Sequence, residues 1–160
     1  MKSENLYFIK AQIHDIKEIH FVLLKAFEPY KINYTIDAFN ATVLPQSEIK
    51  NRILGKKYEI YVLEKNKKII GTVSFYIKNK NQIHIRSMAV HPNNQKKGVG
   101  SFILKEIEEM AKEKNIKSIS LDTSKPLKIA IKFYKKFGFR FTGVKHNFYG
   151  IEIYEMIKTI

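Results

Sequence analysis

Residues 87–101 read SMAVHPNNQKKGVGS and join the end of an apolar strand to the beginning of a long amphipathic helix. The first N–H groups of a helix have no partners within it, and the helix dipole is positive at that end, so an anion is stabilised there. Gly98 and Gly100 lack the Cβ atoms that would hold a phosphate away from the backbone. The stretch therefore predicts a turn that binds a pyrophosphate.

Two common nucleotide-binding motifs do not fit this turn. The dinucleotide motif G-x-G-x-x-G directly follows a first strand, whereas here the glycines follow a third or fourth antiparallel strand, and Ser101 and Ile103 break the pattern. The nucleoside triphosphate loop needs Lys after its last glycine, where this chain has Ser101. The pattern that remains is Q-x-x-G-x-G, met by Gln95, Gly98 and Gly100.

A second motif, AIKFYKKFGF, lies at residues 130–139. Together, the two motifs resemble the acetyl-CoA signature and the A-x-x-F-Y-x-x-x-G-F block of the GNAT superfamily of N-acetyltransferases, in the same order. The resemblance extends over the whole chain. It implies an N-acetyltransferase that moves the acetyl group of acetyl-CoA to a primary amine of a small molecule or peptide by direct attack. An acyl-CoA-binding sensor or module of the same fold, without catalysis, is the alternative.

The apolar periodicity predicts one α+β domain over residues 1–160, with a mixed, mostly antiparallel twisted sheet flanked by helices, as in the GNAT fold. Strands are predicted at 7–12, 58–64, 69–78, 82–90, 118–123, 139–145 and 151–157. Helices are predicted at 15–27, 47–54, 99–111 and 127–136. The segment 30–46 has no clean period and predicts irregular structure or a short helix that shapes a pocket wall.

The composition excludes several classes of protein. The chain has 160 residues, of which 44% are hydrophobic, and no cysteine, which removes disulfides, thiolate metal sites and cysteine nucleophiles. The histidines show no ligand spacing, so no metal site is expected. Without an apolar run of 18 residues or a secretion leader at residues 1–5, the expected location is cytoplasmic, away from membranes.

The net charge of +14 raises the question of a polyanion partner. Only three of the 29 basic residues are arginines, and the lysines are spread over both halves of the chain. Proteins that bind specific nucleic-acid sequences usually concentrate their basic side chains on one face and use the guanidinium groups of arginine to bind bases and phosphates. The sequence therefore predicts no specific nucleic-acid binding, although a charge-driven binder stays a third class, and the positive field would attract an anionic cosubstrate.

The resemblance implies the residues that hold coenzyme A. If the strand splays at Met88, Ala89 and Val90, as a β-bulge does in GNAT proteins, its free backbone groups can bind the pantetheine amides, and one N–H can polarise the thioester oxygen. Leu127 departs from the family pattern, because many members carry asparagine there. The implied cofactor-binding residues are Met88, Ala89, Val90, Gln95, Lys96, Lys97, Gly98, Val99, Gly100, Ser101, Thr123, Ala130, Phe133 and Lys136.

Two residues are candidates for proton transfer. Tyr134 aligns with the family tyrosine that faces the cofactor sulfur, where a phenol can donate a proton to the departing thiolate. His84 lies on the strand before the signature, at a position equivalent to a base in other members, and its ordinary pKa near 6.5 suits that task. Glu59, Glu64 and a relayed water are the alternatives for the base.

The acceptor is expected between the segment 28–46 and the closing hairpin around residues 146–150. Tyr30, Tyr34 and Phe39 are candidates to line its site, although each is equally an ordinary core aromatic. The fold does not name the acceptor amine. A homodimer is possible.

Overall fold

The structure, a computed structural model, describes residues 5–160. Residues 1–4 lie outside this range. The expectation of no secretion leader rests partly on these residues. In the described part of the chain seven strands form one sheet in the order β1-β2-β3-β4-β5-β7-β6. The strands are β1 Leu6–Lys10, β2 Glu59–Lys65, β3 Lys68–Lys78, β4 Gln82–Val90, β5 Ser118–Thr123, β6 Arg140–Phe148 and β7 Ile151–Thr159. Only β4 and β5 pair in parallel, which confirms the predicted mixed, mostly antiparallel sheet.

Helices cover both faces of this sheet and enclose two apolar cores. The helices are α1 Ile16–Phe27, α2 Ile36–Thr42, α3 Gln46–Leu54, α4 Val99–Glu113 and α5 Lys128–Lys136. The apolar stripe of α4, with Ile103 and Ile107 fully buried, packs on β3, β4 and β5 together with α5. The stripe of α1, with Ile19 and Leu23 buried, packs with α3 on the other face. Full burial of such a side chain contributes about 1.5–3 kcal/mol. Among residues 5–160, no helix combines the length and the apolar character needed to cross a membrane.

The segment 30–46 is more ordered than its sequence pattern predicts. It contains a 3-10 helix, Glu28–Asn33, and the short helix α2. The hydroxyl of Thr35 caps α2 by accepting a hydrogen bond from the Ala38 N–H at 3.1 Å, and Thr35 also donates to the Tyr149 carbonyl at 2.6 Å. The second bond comes from the distant β6–β7 turn, so the segment is fixed by tertiary contacts that a local pattern does not record. The hairpin strands likewise run to Phe148 and Thr159, further than predicted.

The sheet opens between β4 and β5. Their parallel ladder ends at the pair Ile85 and Leu121, so residues 86–90 of β4 have no partner on β5. On the other side of β4, Ser74 pairs with Ser87 and Phe75 with Ile85, which makes Arg86 the extra residue of a β-bulge. The predicted splay at residues 88–90 is confirmed, and it begins at Arg86. The bulge also ends the alternation that would have placed His84, Arg86 and Met88 on one face.

Candidate active site

A cavity of about 790 Å³ occupies the opening between β4 and β5. Its wall includes the beginning of α4, the inner side of α5, the end of α1, α2 and the β6–β7 hairpin, so it contacts elements on both faces of the sheet. The predicted residues that line it are Tyr30, Tyr34, Met88, Ala89, Val90, Gln95, Lys96, Gly98, Gly100, Ser101, Thr123, Ala130, Phe133, Tyr134 and Lys136. Four predicted residues lie elsewhere: Phe39, His84, Lys97 and Val99.

The turn before α4 has the geometry that anion binding requires. Gly98 has φ +81°, a left-handed conformation that favours glycine, and a Cβ built there would meet no atom of the described residues within 4 Å. The first hydrogen bond of α4 runs from the Phe102 N–H to the Gly98 carbonyl at 2.9 Å, so the N–H groups of residues 99–101 have no partner within the helix. The Gln95 side chain donates to the Val90 carbonyl at 2.9 Å and ties the turn to the end of β4.

Gly100 provides close packing rather than conformational freedom. A Cβ at this position would lie 3.2 Å from Cζ of Phe133 and 3.7 Å from Cε of Met88, both of which line the cavity. The missing side chain therefore keeps a narrow part of the cavity open beside the helix N-terminus. Val99, in contrast, points into the core beneath the turn and is buried.

Lysines surround the turn without fixed partners that would neutralise them. Lys96 and Lys136 line the cavity together with Lys132, and all three are exposed. Flexible, exposed ammonium groups at the mouth of the cavity can pair with phosphates that lie outside the helix N-terminus. Lys97 is exposed as well but does not contact the cavity.

Thr123 ends β5 beside the opening. Its hydroxyl oxygen is buried and makes no hydrogen bond to any described residue, although it lies on the cavity wall. A buried hydroxyl without a partner is costly, and a water or a ligand group at the cavity wall can supply the missing hydrogen bond. The site therefore fits a ligand with polar groups along its length, such as the amides of a pantetheine arm. Leu127, at the position where the family pattern has asparagine, also lines the cavity and contributes an apolar contact.

Tyr134 lies on the α5 side of the cavity. Its ring packs against Phe133 and Phe139, with centroids 5.4 and 5.7 Å away. Burial among these apolar groups raises the pKa of Tyr134 to about 12. The phenol is therefore protonated across the neutral and mildly alkaline range and can serve as a hydrogen-bond donor into the cavity.

His84 lies behind the cavity wall. It is 4% exposed, and both ring nitrogens have partners: Nδ1 is 2.7 Å from the Ser120 hydroxyl and Nε2 is 3.1 Å from Oδ2 of Asp122. Its ring also packs on Tyr76, with centroids 5.4 Å apart. The contact of His84 with the cavity therefore runs through Asp122, which does line it.

Asp122 is the acidic residue that faces the cavity. Burial alone would raise the pKa of this carboxyl, but the hydrogen bond to His84 and the positive charges of His84, Arg86 and His146 outweigh that effect and lower the pKa. Oδ2 interacts with His84 and lies 3.6 Å from a guanidinium nitrogen of Arg86, whereas Oδ1 is buried and has no hydrogen-bond partner among the described residues.

A group of three residues on the hairpin side of Asp122 could hold a cation. The candidate ligand atoms of Asp122, His146 and Glu155 lie within 4.8 Å of one another, although the sequence shows no ligand spacing for His146. Positive side chains already lie beside the two carboxylates, because Lys78 is 4.0 Å from Glu155 and Arg86 is 3.6 Å from Asp122. These cations supply the countercharge that a metal would otherwise provide.

The side of the cavity where the acceptor is expected is mostly aromatic and aliphatic. Tyr30 and Tyr34 line it as expected, but Phe39 is buried behind Tyr34, with ring centroids 6.2 Å apart. Burial raises the pKa of Tyr34, and the nearby hydroxyls of Ser124 and Thr42 offset part of that rise. The tyrosine therefore presents a neutral phenol to the cavity.

Sequence reasoning missed several residues of the wall. They include Arg86, Asp122, Ser124, Phe148, Ile151 and Ile153. The signal for Asp122 was present, because it is the one acid of β5 and follows the alternating apolar residues Ile119 and Leu121. Nothing local marked Arg86, since its inward position depends on the bulge. The glycine turn, the split sheet and the cavity together define a protein that binds a long, phosphorylated ligand through the opening.

Comparison with known proteins agrees with this description. The model of the acetyltransferase (GNAT) family matches residues 22–139. The PaiA N-acetyltransferase from Thermoplasma acidophilum, in complex with coenzyme A, is 18% identical with a TM-score of 0.81, over 98% of this chain and 99% of that one. A GNAT acetyltransferase from Elizabethkingia anophelis with acetyl-CoA bound is 21% identical with a TM-score of 0.71, over 99% and 100%. The ribosomal-protein-S18-alanine N-acetyltransferase from Escherichia coli is 16% identical with a TM-score of 0.77, over 98% and 94%.

The chain belongs to the GNAT acetyltransferase family. It is an acyltransferase, and coenzyme A thioesters are its cosubstrates. These three solved structures are at most 21% identical to the chain. They therefore show its fold and do not identify its acceptor. The family match ends at residue 139, before the β6–β7 hairpin that closes the acceptor side.

Proposed function

We propose that the protein is a single-domain cytoplasmic enzyme that transfers the acetyl group of acetyl-CoA to a primary amine of a small molecule or peptide. One observation carries this proposal. A single cavity runs from the free N–H groups of α4, past Tyr134, to an acceptor side lined by Tyr34 and Asp122. A cosubstrate held at one end and an amine held at the other would meet at the opening between β4 and β5.

The turn before α4 and its lysines bind the pyrophosphate in this proposal. The N–H groups of residues 99–101 face the phosphates, and Lys96 and Lys136 add charge at the mouth. The unpaired edge of β4 at residues 86–90 and the hydroxyl of Thr123 meet the pantetheine amides. A backbone N–H of this edge then polarises the thioester carbonyl.

The reaction forms a bond between the amine nitrogen and the acetyl carbon and breaks the bond between that carbon and sulfur. The Tyr134 phenol donates a hydrogen bond or its proton to the departing sulfur. Since its pKa is about 12 and that of a thiol is about 8.5, stabilisation of the thiolate by hydrogen bonding is the larger part of its role. The amine loses one proton in the same reaction.

His84, or a water next to it, is the proposed destination of the amine's proton. Because His84 lies behind the wall and does not contact the cavity, an intervening water carries the proton towards it. This places a low-pKa carboxylate and a histidine in series between the amine and the interior of the sheet.

A thiol-release assay with acetyl-CoA tests the proposal. We expect release of coenzyme A to depend on a primary amine, with mass spectrometry showing an N-acetyl product. A sensor of the same fold would bind acetyl-CoA tightly in calorimetry and release no thiol with any amine of a broad panel. That result would contradict the proposed function and favour the alternative.

A further inference from the structure

Two side chains of opposite charge lie next to each other on the acceptor side of the cavity. Arg86 is the extra residue of the β4 bulge, and Asp122 is the first residue of β5 beyond the parallel ladder. Both line the cavity, and their nearest charged atoms are 3.6 Å apart. The two groups form an open ion pair, since this distance exceeds that of a charge-assisted hydrogen bond, about 2.7–2.9 Å, and no hydrogen bond joins them.

Both groups keep hydrogen-bonding capacity that the described residues do not use. Oδ1 of Asp122 is buried and has no partner, although Oδ2 is held by His84 at 3.1 Å. The Arg86 guanidinium has five N–H donors, and none of them donates to a described residue within hydrogen-bond distance. Its contact is with a ring, since it lies over Phe148 at 5.8 Å from the centroid. The Asp122 side chain is 13% exposed and lines the cavity, so a ligand donor can meet its carboxylate there.

We propose that the acceptor is an α-amino acid with an apolar side chain, bound with its amine at Asp122 and its carboxylate at Arg86. This inference rests on the proposed acetyl transfer and names its substrate class. An α-amino acid carries its two charges on one carbon, and therefore requires an acid and a base side by side, as these two residues are. The guanidinium fork matches the geometry of a carboxylate. An acceptor that has only an amine would leave the guanidinium unused.

The neighbouring walls determine which side chain fits. Phe148, Ile151 and Ile153 of the hairpin line the same side of the cavity, with Tyr34 opposite in the chain segment before α2. These surfaces are aromatic and aliphatic, so they favour an apolar side chain over a charged one. The remaining charged groups nearby are engaged with one another, because Lys78 lies 4.0 Å from Glu155 on the far side of Asp122.

The same pair prepares the amine for reaction. An ammonium group must lose a proton before it attacks, and a positive charge close by lowers the pKa of an amine. Arg86 supplies that charge and offsets the opposite effect of the Asp122 carboxylate, which orients the nitrogen by accepting its hydrogen bond. Besides its proposed part in proton transfer, His84 positions Asp122, because its hydrogen bond to Oδ2 fixes the carboxylate.

The test compares amino acids with the amines that lack only the carboxylate. Three pairs are used: phenylalanine and phenethylamine, leucine and 3-methylbutylamine, alanine and ethylamine. For wild-type protein we expect kcat/KM to favour the amino acid by roughly ten- to a hundredfold in the pair that fits best, the worth of one charge-assisted hydrogen bond. Equal values within every pair, or a preference for the amines, overturn the inference, and this comparison needs no variant.

Variants assign the preference to the residues. R86Q should remove the preference within each pair, and D122N should lower kcat/KM for amino acid and amine alike. R140Q is the matched control for R86Q, because Arg140 is exposed at the start of β6 and does not line the cavity, and it should change the preference by less than about twofold. A preference that survives in R86Q contradicts the inference.

An inhibitor provides a second measurement. 3-Phenylpropionate has the carboxylate of phenylalanine and no amine, so it should compete with the acceptor in wild-type protein and lose that competition in R86Q. Absence of competition in wild-type protein argues against the carboxylate site. Acetylation of amines without any preference refutes this inference alone, whereas acetyl-CoA binding without transfer to any amine or amino acid refutes the proposed function as well.

Discussion

Tyr134 lies on the cavity wall, and its apolar surroundings raise its pKa to about 12. Phe133 and Phe139 hold the ring from two sides, so removal of the hydroxyl alone should leave its position unchanged. The phenol has no charged partner whose loss would disturb the fold. A substitution at this residue can therefore separate chemistry from binding.

We expect Y134F to lower kcat by roughly a hundredfold, because a general acid or hydrogen-bond donor to the leaving thiolate contributes about that much or more. Calorimetry should give wild-type affinity for coenzyme A, and thermal unfolding should stay unchanged. F137Y, one residue beyond the end of α5 and outside the cavity wall, serves as a control for a change of one hydroxyl. Full turnover by Y134F would remove the phenol from the mechanism.

The lowered pKa of Asp122 has a consequence for stability at acid pH. A carboxyl whose folded pKa lies below its unfolded value, near 3.9, stabilises the fold above that unfolded value. The contribution is lost as the pH falls through the folded pKa. The difference in unfolding free energy between wild type and D122N should therefore be largest near neutrality and shrink below about pH 4. Urea titrations from pH 7 to pH 2 measure it, and a constant difference would contradict the expected sign.

At the scale of elements, the two glycines of the α4 turn separate stability from ligand binding. Gly98 is left-handed with open space around it, so alanine there would strain the backbone by about 1–2 kcal/mol without meeting a described side chain. Gly100 lies within the helix, where alanine is favoured by up to about 1 kcal/mol, but its Cβ would press on Phe133.

We expect G100A to keep or raise the melting temperature while weakening coenzyme A binding, because the Phe133 ring must move into the cavity. G98A is the comparison: it should lower the melting temperature and weaken binding less directly, through a changed direction of the free N–H groups. Calorimetry with coenzyme A and thermal unfolding give both quantities. Wild-type affinity in G100A would show that the ligand does not pass beside Phe133.

The sequence could predict those parts of the site that lie close together in the chain. The turn at Gly98 and Gly100 and the position of Tyr134 follow from contiguous motifs, and the structure places all three on one cavity. The meeting of Arg86 with Asp122 depends on the parallel register of β4 and β5 and on a bulge. Alternation along a single strand contains no information on either feature, so this pair could not be foreseen.

At the scale of the whole molecule, the excess of lysines acts through the electrostatic field of the net positive charge. With a net charge of +14 the folded chain repels itself, and the same field attracts an anionic cosubstrate. The Debye length falls from about 30 Å at 0.01 M salt to about 8 Å at 0.15 M, which is shorter than the molecule. Added salt should therefore act on stability and on binding in opposite directions.

Between about 0.01 and 0.15 M NaCl we expect the melting temperature to rise and the association rate of coenzyme A to fall. Potassium chloride should give the same changes, since screening does not depend on the cation. Stopped-flow binding and thermal unfolding provide the measurements. A melting temperature that is independent of salt would show that the lysines are too far apart to repel one another.

The order of the strands along the chain was predictable because each strand has its own apolar pattern and turn residues mark the hairpins. The ordered segment 28–42 was not, because its stability comes from a distant contact, the hydrogen bond from Thr35 to the carbonyl of Tyr149. Local propensity does not contain such a contact. This side of the cavity is formed by segments that are distant in the sequence. For that reason Phe39 was predicted to line the wall, although it lies behind it.

The seam between β4 and β5 leaves five residues of a central strand without neighbours on one side. A molecule that fills the seam supplies the missing hydrogen bonds only to the folded chain, so its occupancy adds to the unfolding free energy by mass action. Amide exchange along that edge should slow as occupancy rises. The lifetime of the protein in a cell would then follow the acyl-CoA supply, and starvation for that metabolite would expose the chain to proteolysis.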